Sequence, residues 1–402
     1  MPDFVNRERE LELACGQSAP PLLTFYGEAD IGKTSLLNAA FSRIQEQSPP
    51  RVVACVDFER LLPDQANEPL QWVLRSLAAV ICASPSLQQA GEEWTTDLLV
   101  RCIEACDPPP VLMFDATEKL QTDTHFWERL EAGLVRPLLM GGRVRMIFAG
   151  RVPPPWRDYD VRRLNRTHRL APLSTQDDPG RQGAARDLIR NVLRQSSPSV
   201  TEADVGRLTE LILEFSRGHP GLSEKLASWV VEPGADRWPA ANFDRLRKSM
   251  AEDKIKNYID AVLFKDIDAD WRRVLWWASI LNWFDTAVLR QYLEALVAAD
   301  VIQRSAYLNN WDRFFVEGID RLRLQDAAVV WDRDGYRLYG VTREIVRQCL
   351  KVTDPAGFRQ ASRCAGEVIQ AVANEFAPDE EGFARYTGEA EAFFQQAQEE
   401  VV

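Results

Sequence analysis

Long apolar runs and an excess of basic residues are both missing from this sequence of 402 residues. The opening stretch, MPDFVNRERE, is charged where a signal peptide needs an apolar segment, and no later window reaches the ~20 apolar residues that span a bilayer. Acidic residues outnumber basic ones by 60 to 48, and the net charge of -12 opposes broad binding to phosphate backbones. We therefore expect a cytoplasmic protein without a membrane partner, and nucleic acid is a secondary hypothesis.

Clusters that would carry metal, redox or hydrolase chemistry are also missing. The seven cysteines are scattered without CxxC spacing, and no Ser-His-Asp set is evident. Cys102 and Cys106 stand four apart on a predicted helix, which suits a metal, but no histidine or third cysteine lies nearby in sequence. The cysteines are therefore predicted to be reduced thiols that pack in the core.

The alternation of segments in the first part of the chain predicts an α/β domain. From residue 21 to about 172, short β-rich runs alternate with amphipathic helical patterns, which is typical of a parallel sheet with crossover helices on its faces. The predicted strands are Leu22–Tyr26, Arg51–Phe58, Pro110–Asp115, Val144–Gly150 and His168–Leu173. With 46% hydrophobic residues and ~150 residues per domain, the chain can form two to four domains, of which residues 1–172 are the first.

The remainder of the chain is predicted to be largely helical. A small helical domain covers residues 173–235 and ends in a Pro- and Gly-rich linker, Val231 to Phe243. Over residues 236–352, two helices followed by strand, Asp334-Gly335 turn, strand and helix favour a winged helix. Adjacent Trp276 and Trp277 cannot share one helical face, so one of them is expected at a domain or partner contact. Residues 353–402 form an acidic helical tail.

The most specific motif is a predicted phosphate-binding loop, called here the phosphate loop. It comprises Gly27, Glu28, Ala29, Asp30, Ile31, Gly32, Lys33, Thr34 and Ser35. It matches G-x-x-x-x-G-K-[ST] between a strand and an amphipathic helix, and this context favours a phosphate site over a plain glycine-rich turn. Backbone N–H groups would cradle the phosphates, Lys33 would reach the β- and γ-phosphates, and the Thr34 hydroxyl would ligate Mg²⁺. Asp30 stands where such loops usually carry glycine, and weaker binding is expected.

Two further strand ends supply the rest of the predicted site. Asp115 ends an apolar strand and would hold Mg²⁺ through water, and Glu118 would polarise the attacking water unless it only begins a solvated helix. Arg151 follows the strand VRMIFAG, where it would read the γ-phosphate unless it is an ordinary surface arginine. The sequence thus predicts catalytic roles for Asp115, Glu118 and Arg151.

Taken together, these motifs resemble the STAND family, the signal-transduction ATPases with numerous domains that include NB-ARC and NACHT proteins. FVNRERELE is similar to the family's box before the phosphate loop, with Asn6 in place of glycine and with Val5 and Arg7 at nucleotide-contacting positions. DATE, from Asp115 to Glu118, is similar to the NACHT-like acidic motif. Arg151 matches the sensor arginine, and GHPGL matches the GxP motif, whose proline, here Pro220, packs near the adenine.

The resemblance covers residues 4 to about 350 and implies a P-loop domain, a helical lid and a winged helix. It implies a switch between a closed ADP state and an open ATP state, with Mg²⁺, in which the open state forms homo-oligomers and activates an effector. Effector and sensor parts are not visible here, so they are expected in partner proteins or in a longer parent chain. His219, inside the GxP match, is expected to have a structural or adenine-side role.

Two alternatives remain beside the switch. The first is a DNA-engaging AAA+ ATPase resembling origin-recognition initiators, which also join a P-loop domain, a lid and a winged helix. In such initiators the lid usually supplies a sensor arginine where this chain has GHPGL. In this chain, the winged-helix stretch from Trp271 to Lys351 contains many arginines and nearly as many acidic residues. The second is a pseudo-ATPase scaffold. Asp30 and Asn6, which replace the usual glycines of two motifs, are consistent with this alternative. We expect an ATPase with weak turnover.

Overall fold

The computed structural model describes residues 7–82, 94–175, 183–196, 200–232, 243–324, 328–332, 335–378 and 380–398. The chain divides into two compact units, Met1–Ala171 and Pro172–Val402. Within the described ranges, no helix is both long enough and apolar enough to cross a bilayer.

A five-stranded parallel sheet forms the centre of the first unit. Its strands are β1 (Leu22–Tyr26), β2 (Val53–Asp57), β3 (Val111–Asp115), β4 (Arg145–Gly150) and β5 (Asn165–Arg169), in the spatial order β2-β3-β4-β1-β5. Successive side chains of β3 enter two different cores, because neighbouring residues of a strand point to opposite faces. Leu112 and Phe114 belong to one core, and Val111 and Met113 belong to the other. The predicted α/β fold with both faces covered is confirmed.

The helices of the first unit cover this sheet. They are α1 (Glu8–Cys15), α2 (Lys33–Gln45), α3 (Pro69–Ile81), α4 (Thr96–Glu104), α5 (Thr124–Leu130), α6 (Arg136–Gly141) and α7 (Tyr159–Leu164). A π-helical turn, Glu131–Val135, joins α5 to α6. Pro137 follows this turn, and a wider turn suits a proline, which has no N–H to donate to the preceding turn.

The fifth strand lies earlier in the chain than the sequence predicts. The apolar residues of RLAPL suggested a strand over His168–Leu173, whereas β5 is the polar run Asn165–Arg169. Polar residues are tolerated here because β5 pairs only with β1 and is therefore an edge strand. Leu170 and Leu173 are buried after the strand has ended, so their apolar character reflects core packing.

The second unit begins with a helical lid and a longer interrupted helix. The lid consists of α8 (Ala184–Ser196), α9 (Glu202–Ser216) and α10 (Pro220–Val230). The interrupted helix consists of α11 (Phe243–Ser249), a π-turn (Met250–Ile255), α12 (Lys256–Tyr258) and a second π-turn (Ile259–Leu263). The sequence reading did not predict this interrupted helix.

A winged helix follows in the same unit. Its helices are α13 (Ala269–Ala278), α14 (Thr286–Ala298) and α15 (Trp311–Leu324), and its hairpin is β6 (Val329–Asp332) with β7 (Gly335–Leu338). Phe284 and Tyr336 exchange two backbone hydrogen bonds of 2.7 Å, which add a short third strand to the hairpin. Asp334, predicted in the hairpin turn, lies outside the described residues. Helix α15 was not predicted.

Three helices complete the second unit: α16 (Gly340–Thr353), α17 (Pro355–Ala373) and α18 (Glu381–Gln398). The Trp283 indole donates a hydrogen bond of 3.1 Å to Glu389 on α18. Of the adjacent tryptophans, half-buried Trp276 donates to Asp260 at 3.2 Å, so this residue makes a contact within the unit. The role of Trp277 in a partner contact stays a prediction.

Candidate functional site

The phosphate loop turns sharply between β1 and α2. Gly27 and Gly32 have positive φ values of 155° and 95°, and Asp30 also lies in the left-handed region at 53°. A Cβ on Gly27 would lie 3.1 Å from the Leu170 carbonyl oxygen. Gly32 is the N-cap of α2, so the loop leads directly into the positive end of a helix dipole. This geometry suits the binding of an anion by backbone N–H groups, which stays a prediction.

Lys33, the first residue of α2, is folded back over the loop. Its side chain is buried, and its Nζ donates hydrogen bonds to the carbonyl oxygens of Gly27 (2.9 Å) and Glu28 (2.7 Å). Burial lowers the pKa of Lys33, while the negative charges of Glu118, Asp115 and Asp30 act in the opposite direction. The two hydrogen bonds therefore fix the ammonium inside the loop.

Asp115 and Thr34 meet beside this ammonium. Asp115 ends β3 and is only 6% exposed, and its Oδ1 accepts the Ala116 N–H at 2.8 Å. Burial raises the pKa of Asp115, whereas hydrogen bonds from the Thr34 hydroxyl and Ala116 favour its charged form. A buried carboxylate bonded to a hydroxyl is a fitting donor pair for a hard cation such as Mg²⁺.

Glu118 and Arg151 form a second pair at the same edge of the sheet. The Arg151 N–H donates to Glu118 Oε2 at 3.1 Å, and Arg151 Nε lies 3.7 Å from Glu118 Oε1. The two side chains are 12% and 16% exposed. Because β4 lies between β1 and β3, Arg151 leaves the sheet between the phosphate loop and Asp115. A Cβ on Gly150 would lie 2.0 Å from Thr117 Oγ1, so glycine permits this close approach.

Three polar residues of this edge, Asp57, Glu28 and Arg169, make contacts that the sequence did not predict. Asp57 ends β2 opposite Asp115 in register, and its carboxylate accepts hydrogen bonds from the Glu59 N–H and Arg60 Nε. The signal was visible, since Asp57 ends an apolar strand as Asp115 does. Glu28, expected only as a loop residue, is buried and lies 3.6 Å from Arg169 at the end of β5.

Arg7 contacts the backbone of the phosphate loop. It is buried, and its Nη2 donates hydrogen bonds of 2.9 Å to the carbonyl oxygens of Ile31 and Ala171. Glu10 Oε1 lies 3.6 Å from its Nη1. The resemblance implies that Arg7 touches a nucleotide, but its described partners are protein groups. Val5 lies outside the described residues.

The GxP residues belong to the second unit. Pro220 is the first residue of α10, and the buried His219 caps this helix by accepting the Leu222 N–H at Nδ1 over 3.3 Å. This is a structural role for His219. The first unit thus brings together the phosphate loop, Asp115, Glu118 and Arg151, whereas the adenine contact of Pro220 stays a prediction.

The cysteines form no disulfide. Cys82 lies close to Cys102, one of the two cysteines that were predicted to stand four apart on one helix. Cys82 hydrogen-bonds Cys102, and burial raises its pKa to about 12. Among the described residues, no group of three His, Cys, Asp or Glu side chains is arranged to hold a metal. Cys15, Cys82, Cys349 and Cys364 are buried as predicted, whereas Cys55 is exposed and Cys102 and Cys106 are half-buried.

Comparison with known proteins identifies the fold. No protein-family model matches the sequence, and no curated protein does. The Walker-type ATPase paby2304 of Pyrococcus abyssi superposes with a TM-score of 0.56 at 16% identity, covering 86% of this chain and 96% of that chain. This chain therefore has the fold of a Walker-type, or P-loop, ATPase.

Two other solved structures match with lower scores. The STAND protein PH0952 from Pyrococcus horikoshii, which has a tetratricopeptide repeat sensor, matches at 15% identity and a TM-score of 0.35. That match covers 98% of this chain and 53% of PH0952. The ORC2 protein of Aeropyrum pernix matches at 13% identity and a TM-score of 0.41, covering 87% of this chain and 93% of that one.

Proposed function

We propose that this chain is an adenine-nucleotide-controlled switch of the STAND type. It binds ATP or ADP with Mg²⁺ and regulates its own oligomerisation or an effector or sensor partner. The observation that carries the proposal is the convergence of three contacts at one sheet edge. Lys33 lies on the phosphate loop, Thr34 is bonded to Asp115, and Glu118 is paired with Arg151.

Each part of the loop has a separate role in this proposal. The N–H groups at the start of α2 hold phosphate oxygens, and the Lys33 ammonium exchanges its loop carbonyls for the β- and γ-phosphates. Thr34 and Asp115 would hold Mg²⁺, which neutralises phosphate charge when it is bound. The raised pKa of Asp115 fits this role, because a cation relieves the desolvation of a buried carboxylate.

In this proposal, the pairing of Glu118 with Arg151 is a further reason to expect slow hydrolysis. Glu118 is the residue suited to polarise a water molecule for attack on the γ-phosphate. Its carboxylate is held by the N–H and the guanidinium of Arg151. Arg151 must turn towards a γ-phosphate before Glu118 is available as a base. Slow hydrolysis suits a switch, because the ATP state then lasts long enough to act on a partner.

A DNA-engaging ATPase is the second candidate function. The second unit contains the winged-helix order α13, Phe284 strand, α14, α15 and hairpin. A helix in the position of α15 can enter a major groove in DNA-binding proteins of this type. We favour the switch because the arginines Arg313 and Arg323 of α15 lie 2.7 Å and 3.3 Å from acids of the same helix.

Nucleotide retention by purified protein tests the proposal. The denatured supernatant of the wild type should contain ADP or ATP, and calorimetric titration should show Mg-nucleotide binding. Lys33→Ala should abolish retention, because Lys33 is the long cation of the loop. The control is Lys254→Ala, which removes an exposed lysine of the second unit. Stoichiometric nucleotide in the Lys33→Ala protein would show that the loop assignment is wrong.

A further inference from the structure

One buried guanidinium joins the phosphate loop to the last residue of the first unit. The Nη2 group of Arg7 donates one hydrogen bond to the Ile31 carbonyl and one to the Ala171 carbonyl, both of 2.9 Å. Arg7 is 6% exposed. These acceptors lie 24 and 164 residues away in sequence. A single planar group therefore fixes two distant stretches of backbone relative to each other.

The Ile31 carbonyl is directly connected to the proposed phosphate cradle. It belongs to the same peptide group as the Gly32 N–H, and in a trans peptide these two groups point in opposite directions. The Gly32 N–H is one of the donors at the start of α2. An anion on that N–H polarises the peptide and makes the Ile31 oxygen a stronger acceptor for Arg7.

The Ala171 carbonyl lies where the chain passes from one unit to the other. The preceding Leu170 N–H donates to the Tyr26 carbonyl at 2.8 Å, immediately before the phosphate loop. Pro172 then begins the second unit, where the Leu173 N–H donates to the Gly218 carbonyl at 2.9 Å. The described residues thus attach this connection to β1 through Leu170 and to Arg7 through Ala171.

We propose that Arg7 is a positioning residue that transmits the occupancy of the phosphate loop to the connection between the units at Ala171 and Pro172. This differs from the nucleotide contact that the resemblance implies for Arg7. Glu10, 3.6 Å away, holds the guanidinium in place. The inference rests on the proposed function, since it needs a nucleotide in the phosphate loop.

Hydrogen exchange across residues 170–175 measures this transmission. In the wild type, a non-hydrolysable Mg-ATP analogue should change exchange in this segment at least about fivefold, the lower end of usual coupling between sites. Arg7→Gln should keep nucleotide affinity within about fivefold of the wild type, yet lose the change in exchange. The matched control Arg9→Gln, at an exposed position on α1, should behave like the wild type.

Four results would overturn the inference, and they can be told apart. If Arg7→Gln loses nucleotide binding while Arg9→Gln keeps it, Arg7 is a nucleotide ligand. If Arg7→Gln shows the same change in exchange as the wild type, Arg7 transmits nothing. Absence of nucleotide binding in the wild type would overturn the proposed function together with this inference. If Arg7→Gln does not fold, Arg7→Lys keeps the charge but not the planar fork. The Arg7→Lys protein should bind nucleotide but show a smaller change in hydrogen exchange than the wild type. A change as large as that of the wild type would contradict the inference.

Discussion

At the scale of single residues, Asp30 is the position at which the phosphate loop departs from the usual glycine. Its backbone lies at φ 53°, a region that glycine adopts freely and aspartate tolerates better than most residues. Its charge also reaches Lys33, where it acts against the lowering of the ammonium pKa. The residue therefore combines modest strain, about 1 kcal/mol, with a negative charge inside an anion site.

We predict that Asp30→Gly tightens Mg-ATP binding by about tenfold or more, equivalent to at least ~1.4 kcal/mol. A carboxylate ~5 to 6 Å from a phosphate adds ~3 kcal/mol of repulsion at an effective dielectric near 20, and Lys33 and Mg²⁺ offset part of this. Calorimetric titration of nucleotide-stripped protein measures the change. Asp30→Asn separates the causes, because asparagine removes the charge and keeps the tolerance for positive φ. Equal affinities in all three proteins would show that Asp30 is harmless.

Asp115 illustrates a conflict between stability and ligand binding. Burial raises its pKa, so the charged carboxylate destabilises the nucleotide-free protein at neutral pH. We predict that Asp115→Asn raises the melting temperature by about 2–4 °C, equivalent to ~1 kcal/mol, and abolishes Mg²⁺-dependent nucleotide binding. Thermal unfolding without nucleotide measures the gain.

The pH dependence of that gain has a definite sign. A raised folded-state pKa means that ionisation of Asp115 opposes folding above this pKa, and protonation removes the penalty below it. The difference between the wild type and Asp115→Asn should therefore shrink as the pH falls through the folded pKa of Asp115. Asp97→Asn is the control, because Asp97 is exposed on α4 and is not among the groups that shift the pKa of Asp115. A wild type more stable than Asp115→Asn at neutral pH would contradict the argument.

Among the elements, the π-turn between α5 and α6 supports the segment that follows Arg151. Its first residue, Glu131, is buried and accepts hydrogen bonds of 3.0–3.1 Å from the N–H groups of Arg157 and Asp158. Trp156, just before them, packs edge-on against Trp127. The wider turn therefore anchors the far end of the chain that leaves the site at Arg151.

We predict that Glu131→Ala destabilises the protein by about 2–4 kcal/mol, because the N–H groups of Arg157 and Asp158 lose a charged acceptor. Denaturant unfolding measures the loss, and hydrogen exchange at residues 157 and 158 should rise. Glu128→Ala is the matched control on α5, since Glu128 contacts the exposed Arg157 side chain and such pairs contribute at most ~1 kcal/mol. Equal losses in both variants would refute the anchoring role.

The elements that were predicted from the sequence and those that were missed differ in how clearly a local hydrophobic pattern marks them. Strands β1 to β4 are largely apolar runs, and such runs are visible in the sequence alone. The interrupted helix was missed because its two π-turns depart from the regular 3.6-residue period of an α-helix. The strand order and the Arg7 contacts depend on residues far apart in sequence, which no local pattern specifies.

On the scale of the whole molecule, the two units have separate tasks in the proposed function. The first unit contains every predicted catalytic residue, and the second contains the lid, the winged helix and the final helix pair. The chain divides into these units between Ala171 and Pro172, and the end of a nucleotide domain at residue 172 stays a prediction. Pro172 has no N–H for a strand ladder, so a break at this point is physically reasonable.

The charge of the whole molecule makes the two candidate functions distinguishable by experiment. At a net charge of -12, and with Glu317 and Asp320 beside the arginines of α15, the winged helix should bind duplex DNA weakly. We predict a Kd above about 1 μM near ~150 mM salt, with a shallow salt dependence, by fluorescence anisotropy. The double variant Glu317→Lys with Asp320→Lys should bind more tightly and lose affinity more steeply with salt, which would show that the assay detects this surface. Submicromolar binding by the wild type that falls steeply with salt would instead favour the DNA-engaging ATPase, because only released counterions give such a slope.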